Sequence, residues 1–95
     1  MTFEETYRQL KEEYPKLVML LEYGDFFEAL DGDAETVSEI CETIMVRGPS
    51  GRPMSGFPRS NAREYVAALV NAGHRVGLAE RDDDGGRPAA GAKNE

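Results

Sequence analysis

Two adjacent phenylalanines stand between carboxylates in the stretch EYGDFFEALDGDA (residues 22–34). If residues 25–30 form a strand, side chains alternate, so Phe26 and Glu28 share one face and Phe27 lies on the other. On this pattern alone, packing of both rings in the interior is the more common arrangement. The alternative is an outward ring beside a carboxylate, which suits a nucleic-acid base. The ring can wedge into a weakened base stack, and the carboxylate can accept a hydrogen bond from a base N–H.

The other chemistry-bearing residues do not combine into a catalytic or metal site. The segment GPSGRP (48–53) lacks the lysine and hydroxyl residue of a nucleotide-binding P-loop. His74 is the only histidine, and Cys41, the only cysteine, falls on the apolar face of a predicted helix. The acidic residues within 31–35 lack the remaining ligands of a calcium loop. We therefore expect no catalytic residue, no cofactor and no metal, and predict that the chain is not an enzyme.

Charge is distributed unevenly along the chain. The net charge of −7 argues against indiscriminate nucleic-acid binding, because neutralisation of phosphates supplies most of that affinity. Residues 1–46 hold twelve acidic and three basic side chains, whereas residues 47–81 hold six arginines and two glutamates. Arginine is the side chain best suited to phosphate, so residues 47–81 are a candidate phosphate-binding segment. A mixed-sign surface that only solvates the domain is the alternative.

The elements that must position these residues follow from pattern and turn chemistry. The S/T-x-x-E form of Thr2 to Glu5 predicts the start of a helix that ends before Pro15. The run LVMLL predicts a strand buried on both faces, and Gly24 then predicts a bend into a second extended segment. A short strand at 44–46, a weak one at 54–57 and a last one at 74–79 are also expected. Two further helices are predicted from their apolar faces. The first would be capped by Asp31 or Asp33, and its face consists of Ala34, Val37, Ile40, Cys41 and Ile44. The second would be capped by Ser60, and its face consists of Ala62, Tyr65, Val66, Leu69 and Val70.

This order predicts an α/β domain in three layers, with a mixed β-sheet flanked by about three α-helices over residues 1–81. Residues 82–95 lack large apolar side chains, which predicts a disordered polar tail. No apolar run reaches the roughly 20 residues that span a bilayer, and the N-terminus has no signal-peptide pattern. We expect a cytoplasmic protein without a membrane partner.

Several separated motifs, in order and in register, resemble the MutS mismatch-recognition domain, the N-terminal domain of the DNA mismatch repair ATPases. Residues 24–28, followed by Asp33-Ala34, resemble its G-D-F-Y-E…D-A signature, and the resemblance continues at Arg47-Gly48. The segment RPMSGFP (52–58) is similar to P-M-A-G-I/V-P. Residues 62–73 resemble the helix A-x-x-Y-L-x-x-L-V-x-x-G, and the segment after it is similar to V-A-I-C-E-Q. The resemblance covers residues 3–81 and implies the fold of that domain.

The resemblance also implies site residues. Phe26 would stack on a mispaired base from the minor groove, Glu28 would bond that base, and Phe27 would belong to the core. Phe27 stands where the family prefers tyrosine, and Glu22 stands where family members often carry a basic residue. The candidate phosphate contacts are Arg47, Arg52, Arg59 and Arg63.

Two functional hypotheses follow. The first is a DNA-binding module that senses double-stranded DNA with a mismatch or distortion, acting weakly because we expect the clamp and ATPase domains of the family to be absent from this chain. The second is a protein-interaction or regulatory module that keeps the fold without mismatch binding. Its partner would be a full-length repair protein or another protein with a basic surface, which the acidic first half would suit.

Overall fold

Five strands form a mixed sheet with helices on both faces in the computed structural model, which describes residues 1–81. The predicted fold class is therefore confirmed, whereas the predicted tail at 82–95 lies outside the described residues. The helices are α1 (Phe3–Glu13), α2 (Asp31–Cys41) and α3 (Ala62–Asn71), and the strands are β1 (Val18–Tyr23), β2 (Phe26–Leu30), β3 (Val46–Arg47), β4 (Pro53–Pro58) and β5 (Val76–Ala79).

The sheet has the strand order β3-β4-β2-β1-β5. Strand β2 runs antiparallel to both of its neighbours, β1 and β4, while β1 runs parallel to the edge strand β5. The interior position of β1, between β2 and β5, explains its apolar run, because a strand covered by helices on both faces needs apolar side chains on both. Residues Val18 to Leu21 of β1 are all buried.

Helix α1 covers one face of the sheet. It begins with the predicted capping box, in which the Thr2 hydroxyl accepts from the backbone N–H of Glu5 and the Glu5 carboxylate accepts from the N–H of Thr2. The Phe3 ring packs on Tyr23 of β1 at 4.7 Å between centroids. The Tyr7 hydroxyl donates to the carbonyl oxygen of Met19, also in β1, at 2.7 Å. Helix α1 is thereby fixed along β1.

Helices α2 and α3 cover the opposite face. Phe27 and Phe57 are direct partners across β2 and β4, so their side chains project together on this face. The ring of Phe57 stacks on Tyr65 of α3 at 4.8 Å, and the Cys41 thiol at the end of α2 lies 3.8 Å from the Tyr65 carbonyl oxygen. The result is the predicted arrangement of three layers, with the core on both sides of the sheet.

The prediction placed Ile44 on the apolar face of α2, and this is wrong. The helix ends at Cys41 because Glu42 adopts a left-handed conformation with φ +59°. The chain then leaves the helix direction, and Ile44 is 81% exposed.

The predicted helix caps are also wrong in detail. The N-cap of α2 is Leu30, so Asp31 and Asp33 lie inside the first turn of the helix and their carboxylates bind elsewhere. A 3-10 turn at Arg59–Asn61 precedes α3, which moves the N-cap from Ser60 to Asn61 without a side-chain capping bond.

Candidate functional site

A tight hairpin carries the Phe26 ring. Strands β1 and β2 are joined by Gly24 and Asp25, with Tyr23 and Phe26 as the first paired residues. Gly24 has φ +63°, a conformation in which a side chain is strained. The carbonyl oxygen of Asp25 accepts a hydrogen bond from the backbone N–H of Arg59 at 2.9 Å. The hairpin is therefore held both by its own strands and by the turn that precedes α3.

Phe26 and Phe27 point to opposite faces, as the alternation predicts. Phe27 is buried with 5% of its surface exposed, whereas Phe26 is 43% exposed. Phe26 lies on the same face as its cross-strand partners Tyr23 and Pro58. Tyr23 is itself 43% exposed. The end of the hairpin thus presents two aromatic rings at the surface, on the face where α1 packs.

Glu28 lies on the same face as Phe26, between Leu21 of β1 and Gly56 of β4. A Cβ atom at position 56 would lie 1.9 Å from the Phe27 carbonyl oxygen and 2.6 Å from Oε1 of Glu28. The Glu28 carboxylate therefore lies against the backbone of Gly56 and occupies the space that any side chain there would need. Glycine in the middle of a strand often marks such a close approach.

The Glu28 carboxyl group has no hydrogen-bonding or ion-pairing partner within residues 1–81. Partial burial without a compensating partner disfavours the charged form of a carboxyl group. Burial accordingly raises the pKa of Glu28 from 4.5 to about 7. Near neutral pH this group is present both as a hydrogen-bond donor and as a carboxylate that only accepts.

Arg59 stands next to the Phe26 ring at the edge of an open cleft. The cleft is lined by Asp25, Phe26, Pro58, Arg59 and Ser60. The guanidinium of Arg59 donates to the Glu22 carboxylate at 2.8 Å and lies 3.6 Å from that of Glu80. It also lies over the buried ring of Phe27 at 5.7 Å from the centroid.

The structure does not bring the four candidate arginines together. Arg52 and Arg47 lie at the Pro53 end of β4, which is five residues, or roughly 17 Å, from the Pro58 end beside Phe26. Arg52 pairs with Asp31 and Glu4, and Arg47 donates to the carbonyl oxygen of Gly51 at 2.7 Å.

Arg63 differs from the other three arginines in its surroundings. It is exposed in the first turn of α3, four residues after Arg59, and forms no ion pair with another residue of the described range 1–81. Arg47 and Arg63 therefore keep exposed guanidinium groups, whereas Arg52 and Arg59 are engaged by carboxylates.

Sequence reasoning missed the close approach of Gly56 to Glu28 and the pairing of Arg59 with Glu22 and Glu80. The glycine within a predicted strand was a usable signal, because a strand glycine often marks a close backbone approach. The two glutamates gave no local signal, since Glu22 is 37 residues from Arg59 along the chain.

Comparison of the amino-acid sequence with known protein families gives a match. Residues 1–89 match the family model described as MutS domain I. The chain belongs to the MutS domain I family. This agrees with the resemblance seen in the sequence motifs.

Relatives of this MutS domain I chain are much longer than the chain itself. The DNA mismatch repair protein MutS of Petrotoga mobilis is 36% identical over 78 residues, covering 82% of this chain and 9% of the relative. That of Chlorobium chlorochromatii is 33% identical over 78 residues, with the same coverage. That of Roseiflexus sp. is 38% identical over 85 residues, covering 79% of this chain and 8% of the relative. The chain thus spans about a tenth of the length of these proteins.

Among the helices within residues 1–81, none has the length and apolar character needed to cross a membrane.

Proposed function

We propose that this MutS domain I chain is a DNA-binding module that recognises mispaired or distorted double-stranded DNA. The observation that carries the proposal is the exposed Phe26 ring on a braced hairpin, with the carboxyl group of Glu28, which has no partner within residues 1–81, on the same face. The relatives are named DNA mismatch repair proteins, which supports a DNA ligand for this shared domain.

Phe26 is the wedge. An apolar ring inserted between base steps from the minor groove unstacks them at a cost of about a few kcal/mol and kinks the duplex. A mispaired step is already weakened, so this cost is lower there than at a matched step. Discrimination therefore comes from the deformability of the DNA and needs no sequence code.

Glu28 is the base contact. Two residues along an extended strand separate the Cα atoms of Glu28 and Phe26 by roughly 7 Å, and both side chains lie on the same face. Its raised pKa of about 7 keeps part of the population neutral near neutral pH, which lowers the repulsion between this group and the phosphates. In the protonated form it can donate to a base acceptor, and in the ionised form it can accept from a base N–H.

The arginines make the proposed module a weak binder. Arg47 and Arg63 are exposed and are the proposed phosphate contacts, while Arg52 and Arg59 are paired with carboxylates and would have to exchange partners to bind phosphate. Few phosphate contacts imply low affinity for any DNA, because neutralisation of phosphates supplies most of the sequence-independent binding affinity.

The test compares two substitutions of equally exposed aromatic residues. A fluorescently labelled duplex with a G·T mismatch and its matched control are titrated with the wild type and followed by anisotropy. Phe26→Ala should remove the preference for the mismatch. Tyr14→Ala is the control, because Tyr14 is 44% exposed but lies at the C-terminus of α1, near the opposite end of β1.

One observation favours a second function, a protein-interaction module. Carboxylates already neutralise Arg52 and Arg59, which lowers the attraction of this chain for phosphate and leaves its surface mainly acidic. If the wild type binds both duplexes equally and Phe26→Ala changes neither affinity, mismatch recognition is refuted and a basic protein partner becomes the better explanation.

A further inference from the structure

We infer that Arg59 is a positioning residue that holds the Phe26 hairpin in place, and that it does not bind a DNA phosphate. The inference rests on the proposed function, since positioning matters only if Phe26 is used as a wedge. It assigns to Arg59 a role different from the one expected from its charge.

Four contacts of Arg59 converge on the hairpin and its surroundings. The backbone N–H holds the Asp25 carbonyl oxygen in the turn at 2.9 Å. The guanidinium binds Glu22 at the end of β1 at 2.8 Å and lies 3.6 Å from Glu80, the residue after β5. The same group covers the Phe27 ring, which follows Phe26 in β2. Arg59 therefore connects β1, the turn, β2 and the end of β5.

The Glu22 carboxylate that holds Arg59 is itself fixed. Besides Arg59, Glu22 accepts a hydrogen bond from the backbone N–H of Arg81 at 2.6 Å, and its side chain is only 19% exposed. Two carboxylates around one guanidinium leave the group of three with a net negative charge, which repels phosphate. The same pairing restrains the hairpin from which Phe26 projects.

A positioning residue and a phosphate contact have different effects on binding. A wedge must resist the restoring force of the base stack, so a looser hairpin weakens binding to the mismatched duplex, where the ring is inserted, more than to the matched one. A phosphate contact is sequence-independent, so its loss weakens both duplexes equally and reduces the salt dependence.

Arg59→Gln and Arg63→Gln form a matched pair of substitutions with the same change in charge. For Arg59→Gln we expect a loss of about threefold or more in the ratio of mismatched to matched affinity, with an unchanged slope of log K against log salt. For Arg63→Gln we expect an unchanged ratio and a slope shallower by about 0.9. An equal loss on both duplexes with a shallower slope for Arg59→Gln would overturn the inference.

Glu22→Gln distinguishes a positioning role of Arg59 from a phosphate-binding role, because the two roles predict opposite changes in DNA binding. It removes the charge that holds Arg59, while the amide oxygen can still accept from the N–H of Arg81. If Arg59 positions the hairpin, Glu22→Gln lowers the mismatch preference as Arg59→Gln does. If Arg59 binds phosphate, freeing it strengthens binding to both duplexes, and that result would also overturn the inference.

A measurement without DNA distinguishes failure of this inference from failure of the proposed function. Within residues 1–81, which contain all four phenylalanines, Phe26 is the exposed one, so its ring signals can be followed by NMR relaxation together with the amide of Gly24. Arg59→Gln should lower both order parameters, and Arg63→Gln should leave them unchanged. If the wild type shows no mismatch preference, the proposed function fails. Unchanged order parameters in Arg59→Gln refute positioning by themselves.

Discussion

Gly56 is the residue that permits a carboxyl group beside the wedge. Adding a single methyl group at this position would bring it against the backbone of β2 and against Glu28. Because the nearest atom is a backbone oxygen in the middle of a sheet, the structure cannot yield cheaply.

We therefore expect Gly56→Ala to lower the free energy of unfolding by about 3 kcal/mol. Gly32→Ala is the control, since a Cβ there meets nothing within 4 Å and the residue lies in the first turn of α2. That substitution should stabilise the domain by up to about 1 kcal/mol. Urea denaturation of both variants measures the two effects, and equal stability of the two would contradict the packing at Gly56.

Glu28 gives a prediction for the pH dependence of stability. Its pKa in the folded protein is raised from 4.5 to about 7, so folding favours the protonated form. The loss of stability caused by ionised Glu28 in the folded protein is absent below about pH 4.5. This loss grows as pH rises and is complete above about pH 7. Glu28→Gln removes this loss, because glutamine is neutral and of the same size.

The free energy of unfolding of Glu28→Gln should exceed that of the wild type by about 1–3 kcal/mol near pH 8 and match it near pH 4. Urea denaturation across this range, followed by circular dichroism, gives the two curves. Parallel curves would mean that Glu28 is solvated like an ordinary surface carboxylate.

For single residues, the sequence predicts the face of a strand on which a side chain lies better than it predicts the residues that the side chain contacts. Alternation in FFEAL predicts that Phe27 is buried and that Phe26 faces the other way, because it depends only on local backbone geometry. The contact of Glu28 with Gly56 depends on the register between β2 and β4, and the pairing of Arg59 with Glu22 joins distant parts of the chain. Such relations are set by the tertiary fold, which no local pattern encodes.

At the scale of elements, the carboxylate of Asp33 connects α1, β1 and α2. It accepts from the Tyr7 hydroxyl at 2.9 Å and from the backbone N–H of Met19 at 3.0 Å, and it pairs with Lys11 at 2.9 Å. Burial and the neighbouring Asp33 charge raise the pKa of the Tyr7 hydroxyl well above its usual value, so it stays a donor at all ordinary pH values. The sequence indicated a cap at this position, but the residue serves the packing of three elements.

Asp33→Ala should lower the free energy of unfolding by about 2–4 kcal/mol, because it leaves the backbone N–H of Met19 without its acceptor, removes the ion-pair partner of Lys11, and leaves the Tyr7 hydroxyl with the Met19 carbonyl oxygen as its acceptor. Asp31→Asn is the control from the same turn, since asparagine tolerates the left-handed φ of +56° at this position, the side chain is 48% exposed, and an exposed pair contributes at most about 1 kcal/mol. Thermal unfolding followed by circular dichroism ranks the two variants, and a loss for Asp31→Asn as large as that for Asp33→Ala would contradict the assignment.

At the scale of the whole molecule, the net charge of −7 and the pairing of Arg52 and Arg59 limit the attraction for DNA. With Arg47 and Arg63 as the proposed phosphate contacts, the slope of log K against log salt should be no steeper than about −2. Anisotropy titrations at several salt concentrations measure this slope. A value near −4 would mean that the paired arginines exchange their carboxylates for phosphates on binding.

The contact between Arg81 and Met1 means that the chain can be reconnected in a different order. The Arg81 guanidinium donates to the carbonyl oxygen of Met1 at 3.4 Å and lies over the Phe3 ring, so residues 1 and 81 are neighbours. Adjacent ends permit circular permutation. A short glycine-rich linker from residue 81 to residue 1, with new ends opened at Ser50, should therefore preserve the sheet order. Residues 1 and 81 lie near Tyr23 of the hairpin, and this rearrangement would move the attachment point for a dye or fusion partner to the opposite end of β4 from Phe26.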